Sequence, residues 1–229
     1  MSWKNNQEVS APFNGNKSAS ELFFEAYQEF STKQNNREVR LAGHSLGSQM
    51  ASSLMAQILD HNAASKQKLH IPERLILLDP FFSANGKEYL QDAWTGERVR
   101  DIVDRIQTRT STSIEAYRSS AVGFAPVAAD QNRPLTEKVA FIELNSTGFL
   151  SQLDQAAKHN YAPLHYFWSI DFPPPGTMEE DGATKVLGIS ASTPLKDIQT
   201  FIQSGLRARV VHGGDSASPR DDIHEVRAQ

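Results

Sequence analysis

Arg37 to Leu59 reads REVRLAGHSLGSQMASSLMAQIL, and three elements follow one another in it without a break. Arg37 to Ala42 alternates, with Val39 and Leu41 on one face, as a half-buried strand does. Met50, Ala51, Leu54, Met55, Ile58 and Leu59 then recur at helical spacing and form an apolar stripe. Only Gly43-His44-Ser45-Leu46-Gly47 separates the two, so the chain passes from strand to helix through a tight turn. A strand that feeds directly into a helix is the unit from which parallel sheets are built.

Working outward from this unit, Arg74-Leu75-Ile76-Leu77-Leu78 is an unbroken apolar run that ends at Asp79-Pro80, and Val139 to Leu144, with Glu143 inside it, reads as a third strand. Unbroken runs suit parallel strands covered on both faces. Upstream, Ser18 and Glu21 form a capping box. Leu22, Phe23, Ala26, Tyr27 and Phe30 follow at helical spacing, which predicts a helix over 18–32, broken by Asn35-Asn36. The fold class expected is α/β, a mostly parallel sheet flanked by helices. Between the second and third strands, Val99, Ile102, Val103 and Ile106 recur among charges, so 97–117 reads as an amphipathic surface helix inside an insertion spanning 85–134. Residues 4–17, 128–136 and 173–183 read as loops, and 212–229, polar and rich in Gly, Ser and Asp, as a disordered tail. One domain over 1–210 is expected, with the tail from 211.

The 229 residues suffice for one α/β domain with a real core. Lys plus Arg is 23 and Asp plus Glu is 27, a net charge of −4 that gives no reason to expect nucleic acid or an anionic membrane as partner. No apolar run approaches the roughly 18 residues of a membrane span. The opening residues MSWKNNQEVS hold no apolar signal-peptide segment. There is no cysteine, which excludes disulfides, thiolate catalysis and Cys-ligated metals.

Gly43-x-Ser45-x-Gly47, between strand and helix, has the pattern of a nucleophile elbow. The sharp turn lifts a serine hydroxyl above the sheet, and the two glycines are expected to let the backbone and the following helix approach closely. The N–H of Leu46, at the start of that helix, is a candidate oxyanion donor. A serine needs a base and a group that orients the base. Asp79, at the tip of the next strand, is the acid preferred over Glu143, within the third strand, and Asp154 beyond it. Among seven histidines, His44 is expected to face away from the base position. His61 and His70 flank the loop before the second strand, and His212 and His224 lie in the polar tail. His159 and His165 remain. His165 is preferred because it opens the aromatic segment His165-Tyr166-Phe167-Trp168, which would hold an imidazole rigidly, whereas His159 lies in the polar Lys158-His159-Asn160.

These motifs together resemble the pancreatic-type lipase family of α/β-hydrolases. Val39 to Gly47 is similar to that family's nucleophile segment, and Leu77-Leu78-Asp79-Pro80 with Phe81-Phe82 to its acid motif. Phe141 to Ser146 and Gly148-Phe149-Leu150 resemble the strand and loop that come next, and His165 to Ile170 the segment opening with its histidine. Ser48 and Gln49 depart from the Ala and His common after the family's elbow, and the family's cysteines and C-terminal β-sandwich have no counterpart. Ser2-Trp3-Lys4-Asn5 resembles the end of the strand preceding the elbow helix. That places the earlier strands, and the loop giving the second oxyanion N–H, outside this chain. The resemblance implies an α/β-hydrolase fold, a lipase or carboxylesterase acting on a lipid or other apolar ester through Ser45, Asp79 and His165, no cofactor or metal, and often an extracellular setting. The early start implies weak activity, low stability or association through an exposed sheet edge. It also supports a rival reading, a catalytically silent remnant or binding domain.

Overall fold

The structure, a computed structural model, describes residues 12–13, 17–33, 37–80, 99–119, 139–146, 158–170, 178–180, 183–185, 191–204, 206–212 and 222–228. In chain order the elements are β1 (Pro12–Phe13), β2 (Lys17–Ser18), α1 (Ala19–Thr32), β3 (Arg40–His44), α2 (Gly47–Ala64), β4 (Arg74–Leu78), α3 (Val99–Arg109) and β5 (Ser113–Ser119). They continue with β6 (Ala140–Ser146), α4 (Tyr161–Trp168), β7 (Met178–Glu180), β8 (Ala183–Lys185), α5 (Leu195–Ser204), β9 (Leu206–His212) and β10 (Asp222–Ala228).

The main sheet has the order β10-β9-β6-β5-β4-β3. Its strands run parallel from β3 through β9, and β10 closes one edge antiparallel to β9. β3 forms the other edge. Successive side chains of a strand point to opposite faces, so each apolar run feeds two cores. Leu41, Leu75, Leu77, Ile114, Ala116 and Phe141 pack with residues of α1, α2 and α3. Ile76, Leu78, Tyr117, Ile142 and Leu144 pack with Tyr161 and Tyr166 of α4 and Ile198 and Phe201 of α5. The unbroken Arg74–Leu78 run is therefore the pattern of a strand with no solvent face, every residue of it buried.

Two sequence expectations give way here. The helix expected over 97–117 ends at Arg109, and Ser113–Ser119 is instead β5, a central strand parallel to both neighbours. Threonine hydroxyls end the helix by bonding backward. Thr108 Oγ1 donates to Asp104 O at 2.7 Å and Thr110 Oγ1 to Ile106 O at 2.6 Å. Such local bonds compete with helix continuation. Thr112 Oγ1 then donates to Pro72 O at 2.6 Å, tying the start of β5 to the approach to β4. The part of the expected 85–134 insertion that is described thus belongs to α3 and the sheet; 85–98 and 120–134 lie outside the described residues. The expected tail also contributes a strand. β10 pairs with β9 from Asp222↔His212 to Ala228↔Leu206, and an edge strand has a neighbour on one side only, so a polar sequence suffices. Residues 213–221 and 229 lie outside the described residues, as do 2–5. Within the two stretches expected as loops, β1 pairs with β2 and β7 with β8.

At the N-terminal ends of β4 and β5 a buried ion pair crosses the sheet. Arg74 and Glu115 side chains are both fully buried and meet in a fork, Nε to Oε1 at 2.6 Å and Nη2 to Oε2 at 2.8 Å. Tyr117 donates its O–H to Glu115 Oε2 at 3.1 Å. Arg74 Nη1 donates to the carbonyls of Ala191 and Thr193, fastening the lead into α5 against the sheet. Burial opposes the guanidinium charge, but the Glu115 pair outweighs it and holds the Arg74 pKa above the ordinary arginine value.

Breaking one partner of such a pair leaves an uncompensated buried charge. Glu115→Ala is expected to destabilise the fold by about 3–5 kcal/mol in denaturant unfolding, and the double variant Arg74→Met/Glu115→Leu to recover most of that loss.

Candidate functional site

The site is assembled by register. Parallel pairing aligns His44 of β3 with Leu78 of β4, and Leu78 with Tyr117 of β5. The three strands therefore end side by side, and Ser45, Asp79 and Ser119 lie just at or beyond those ends. The chain continues to be pinned past the ladder, since Ser45 N donates to Leu78 O at 2.9 Å and Asp79 N to Tyr117 O at 2.6 Å. Among the described residues, Ser45 and Asp79 are the non-glycine residues with positive φ, 54° and 43°. Left-handed backbone at a non-glycine residue costs on the order of 1–3 kcal/mol and concentrates at functional sites.

The turn at Ser45 closes backbone onto backbone. A Cβ at Gly43 would stand 2.2 Å from Gly47 O and 2.7 Å from Ser48 N, so nothing larger than glycine fits there. Ser48 Oγ donates to Gly43 O at 2.8 Å, bolting the first turn of α2 to the end of β3. Gly47 differs from expectation, because a Cβ there meets nothing within 4 Å. The close approach rests on Gly43 alone. Leu46 is buried and is the N-cap residue of α2. The first N–H groups of a helix have no intrahelical acceptor. Ser48 N and Gln49 N are taken by the carbonyls of Ser45 and Leu46, and among the described residues no backbone acceptor takes Leu46 N–H.

Asp79 is 1% exposed, and its carboxylate accepts three hydrogen bonds from the described residues. Ser119 N–H donates to Oδ1 at 3.2 Å, Ser119 O–H to Oδ2 at 2.6 Å, and His159 Nδ1–H to Oδ2 at 2.5 Å. With the His159 proton on Nδ1, the neutral imidazole carries its lone pair on Nε2, the state a general base requires. His159 stands just before α4, at the chain turn of Asn160.

His165 is corrected by this geometry. The imidazole that reaches Asp79 is that of His159, whereas His165, 1% exposed, packs in the core against Tyr161 and Tyr117 with ring centroids 5.9 and 6.2 Å away. His165 and Tyr166 face the core from α4, while Phe167 is exposed. His44 is corrected too. It faces the site, its ring centroid 4.6 Å from that of His159 and its Nε2–H donating to His159 O at 3.1 Å. Burial, then the neighbouring His159 charge, push the His44 pKa down, against the His159 carbonyl and Asp79. Glu143 lies mid-strand in β6, opposite Arg118 in register, away from the strand tips; Asp154 lies outside the described residues. Ser119 had no signal in the sequence, since it falls at the end of a strand hidden in the charged segment around 97–119.

Among the described residues no group of three or more His, Asp or Glu could hold a metal ion, and no helix is long and apolar enough to cross a membrane. No protein-family model matches the chain, and comparison with curated proteins and with solved structures gives no match.

The two glycines of the turn make opposite predictions. Gly43→Ala forces backbone apart and is expected to destabilise the chain by at least about 3 kcal/mol, beyond the usual range of single substitutions. Gly47→Ala, at the first position of α2, is expected to shift stability by less than about 1 kcal/mol. Paired urea titrations of the two variants measure the difference.

Proposed function

We propose that this chain is a serine hydrolase of the carboxylic ester class with an α/β-hydrolase fold, in which Ser45 is the nucleophile, His159 the general base and Asp79 the group that orients it. The observation that carries the reading is the hydrogen bond from His159 Nδ1 to Asp79 Oδ2, made beside a serine held at φ 54° on the adjoining strand tip. His159 Nε2 takes the Ser45 proton as Oγ attacks an ester carbonyl. The carbonyl oxygen becomes an oxyanion that Leu46 N–H stabilises at the start of α2. The tetrahedral intermediate collapses to an acyl-enzyme as the imidazolium returns its proton to the leaving alcohol. Water, deprotonated by His159, then releases the acid. Asp79 stays ionised throughout and stabilises the imidazolium. A lipid or other apolar ester as substrate is supported by the resemblance of the elbow and acid motifs to pancreatic-type lipases.

A fluorophosphonate probe reports an activated serine directly. Labelling of the folded chain is expected, with none in Ser45→Ala. His159→Phe is expected to slow it by about 10²–10⁴-fold, the usual contribution of a general base, while His165→Phe leaves the rate unchanged. Labelling that depends on His165 and not on His159 would return the base to the aromatic segment. A folded wild-type chain that is not labelled at all would favour the binding-domain reading.

A further inference from the structure

We infer that Ser119 is a positioning residue for this site, setting both the direction and the basicity of Asp79; the inference rests on the reading of Ser45, His159 and Asp79 given above. Ser119 gives two of the three hydrogen bonds that the Asp79 carboxylate accepts among the described residues, its N–H to Oδ1 and its O–H to Oδ2. One donor on each oxygen fixes the plane of the carboxylate, and that plane aims Oδ2 at His159. The hydroxyl shares Oδ2 with the imidazole, at 2.6 and 2.5 Å. A carboxylate oxygen that already accepts a strong bond is less basic than one that does not, because hydrogen bonding favours its charged form. With Ser119 3% exposed and Asp79 1% exposed, water has little access to replace the bond.

The placement of Ser119 follows from the same register that builds the site. Asp79 leaves β4 through a bond to Tyr117 of β5, and Ser119 is two residues further along β5, so its side chain points to the same face as Tyr117. His44 on β3 also faces the pair, and its hydrogen bond and ring contact go to His159 rather than Ser119.

Without the hydroxyl, Asp79 turns more freely and Oδ2 becomes more basic, so the His159 imidazolium is held more tightly. Two changes are expected in Ser119→Ala. The second-order rate of fluorophosphonate labelling falls about tenfold on its pH plateau, and the acid midpoint of the rate against pH moves up by about one unit. Ser119→Thr, which keeps the hydroxyl, restores the midpoint. A merely structural role would lower the melting temperature and the folded fraction and leave the midpoint in place, which overturns the inference. Should Ser119→Ala not fold, Ser119→Cys keeps the side-chain size with a weaker donor, and an unmoved midpoint there overturns it equally. A folded wild-type chain that is not labelled removes the reading of Ser45, and the inference with it. Labelled wild-type chain with an unshifted Ser119→Ala profile removes the inference alone.

Discussion

The side-by-side ending of three parallel strands is the constraint on which the rest depends. A parallel ladder fixes its neighbours residue by residue, and here it places His44 beside Leu78 and Leu78 beside Tyr117. The Ser119 bonds to the Asp79 carboxylate then fasten what the register brings together. The strain of positive φ at Ser45 and Asp79, on the order of 1–3 kcal/mol for each, persists because the backbone bonds Ser45 N–Leu78 O and Asp79 N–Tyr117 O leave those residues no relaxed alternative. Gly43 is the one place where this arrangement dictates a residue type by space alone, because the turn brings two backbone segments into direct contact.

The same strands carry buried charge at both ends, handled in two ways. At the N-terminal end, Arg74 and Glu115 neutralise each other, and their spare donors and acceptors go to Tyr117, Ala191 and Thr193. Arg74 Nη1 also stands 3.7 Å from Glu38 Oε1, and its bonds to the Ala191 and Thr193 carbonyls hold the lead into α5. At the C-terminal end, Asp79 is buried among the hydroxyl and amide of Ser119 and the imidazole of His159. An ion pair completes itself; a carboxylate satisfied by an imidazole can still respond when that imidazole gains a proton.

The strand-turn-helix at 37–59, the strand ending at Asp79 and the α/β class were legible in the sequence because each rests on local pattern: alternation into a Gly-x-Ser-x-Gly turn, and an unbroken apolar run ending in Asp-Pro. What was hidden was hidden by pairing across the chain. β5 carries Glu115, which reads as a solvent-facing charge until Arg74, 41 positions away, is found against it. With β5 unseen, Ser119 could not be seen either. His159 was passed over because its neighbours Lys158 and Asn160 are polar, which suggests a mobile loop. Its rigidity comes from Asp79 and His44, 80 and 115 residues distant, and no local pattern reports that. β10 shows the reverse error, a strand that needs only a backbone partner and so carries no hydrophobic signal.

The absence of a cation from the described partners of Asp79 fits the proposed chemistry better than a paired carboxylate would. During acyl transfer the base becomes an imidazolium, and its charge must be welcome where it forms. A guanidinium at about 4 Å would oppose it by roughly 4 kcal/mol at an effective dielectric of about 20. Arg74 shares β4 with Asp79 but stands five residues earlier, about 16 Å along the strand, where the same arithmetic gives about 1 kcal/mol before any cancellation. Glu115, locked to the guanidinium at 2.6 Å, cancels most of that. His44 poses the nearer threat, with its ring 4.6 Å from that of His159. Burial, then the His159 charge, depress its pKa, and its Nε2–H is committed to the His159 carbonyl. Of these two groups, Arg74 is distant and cancelled, and His44 is close with its pKa held down.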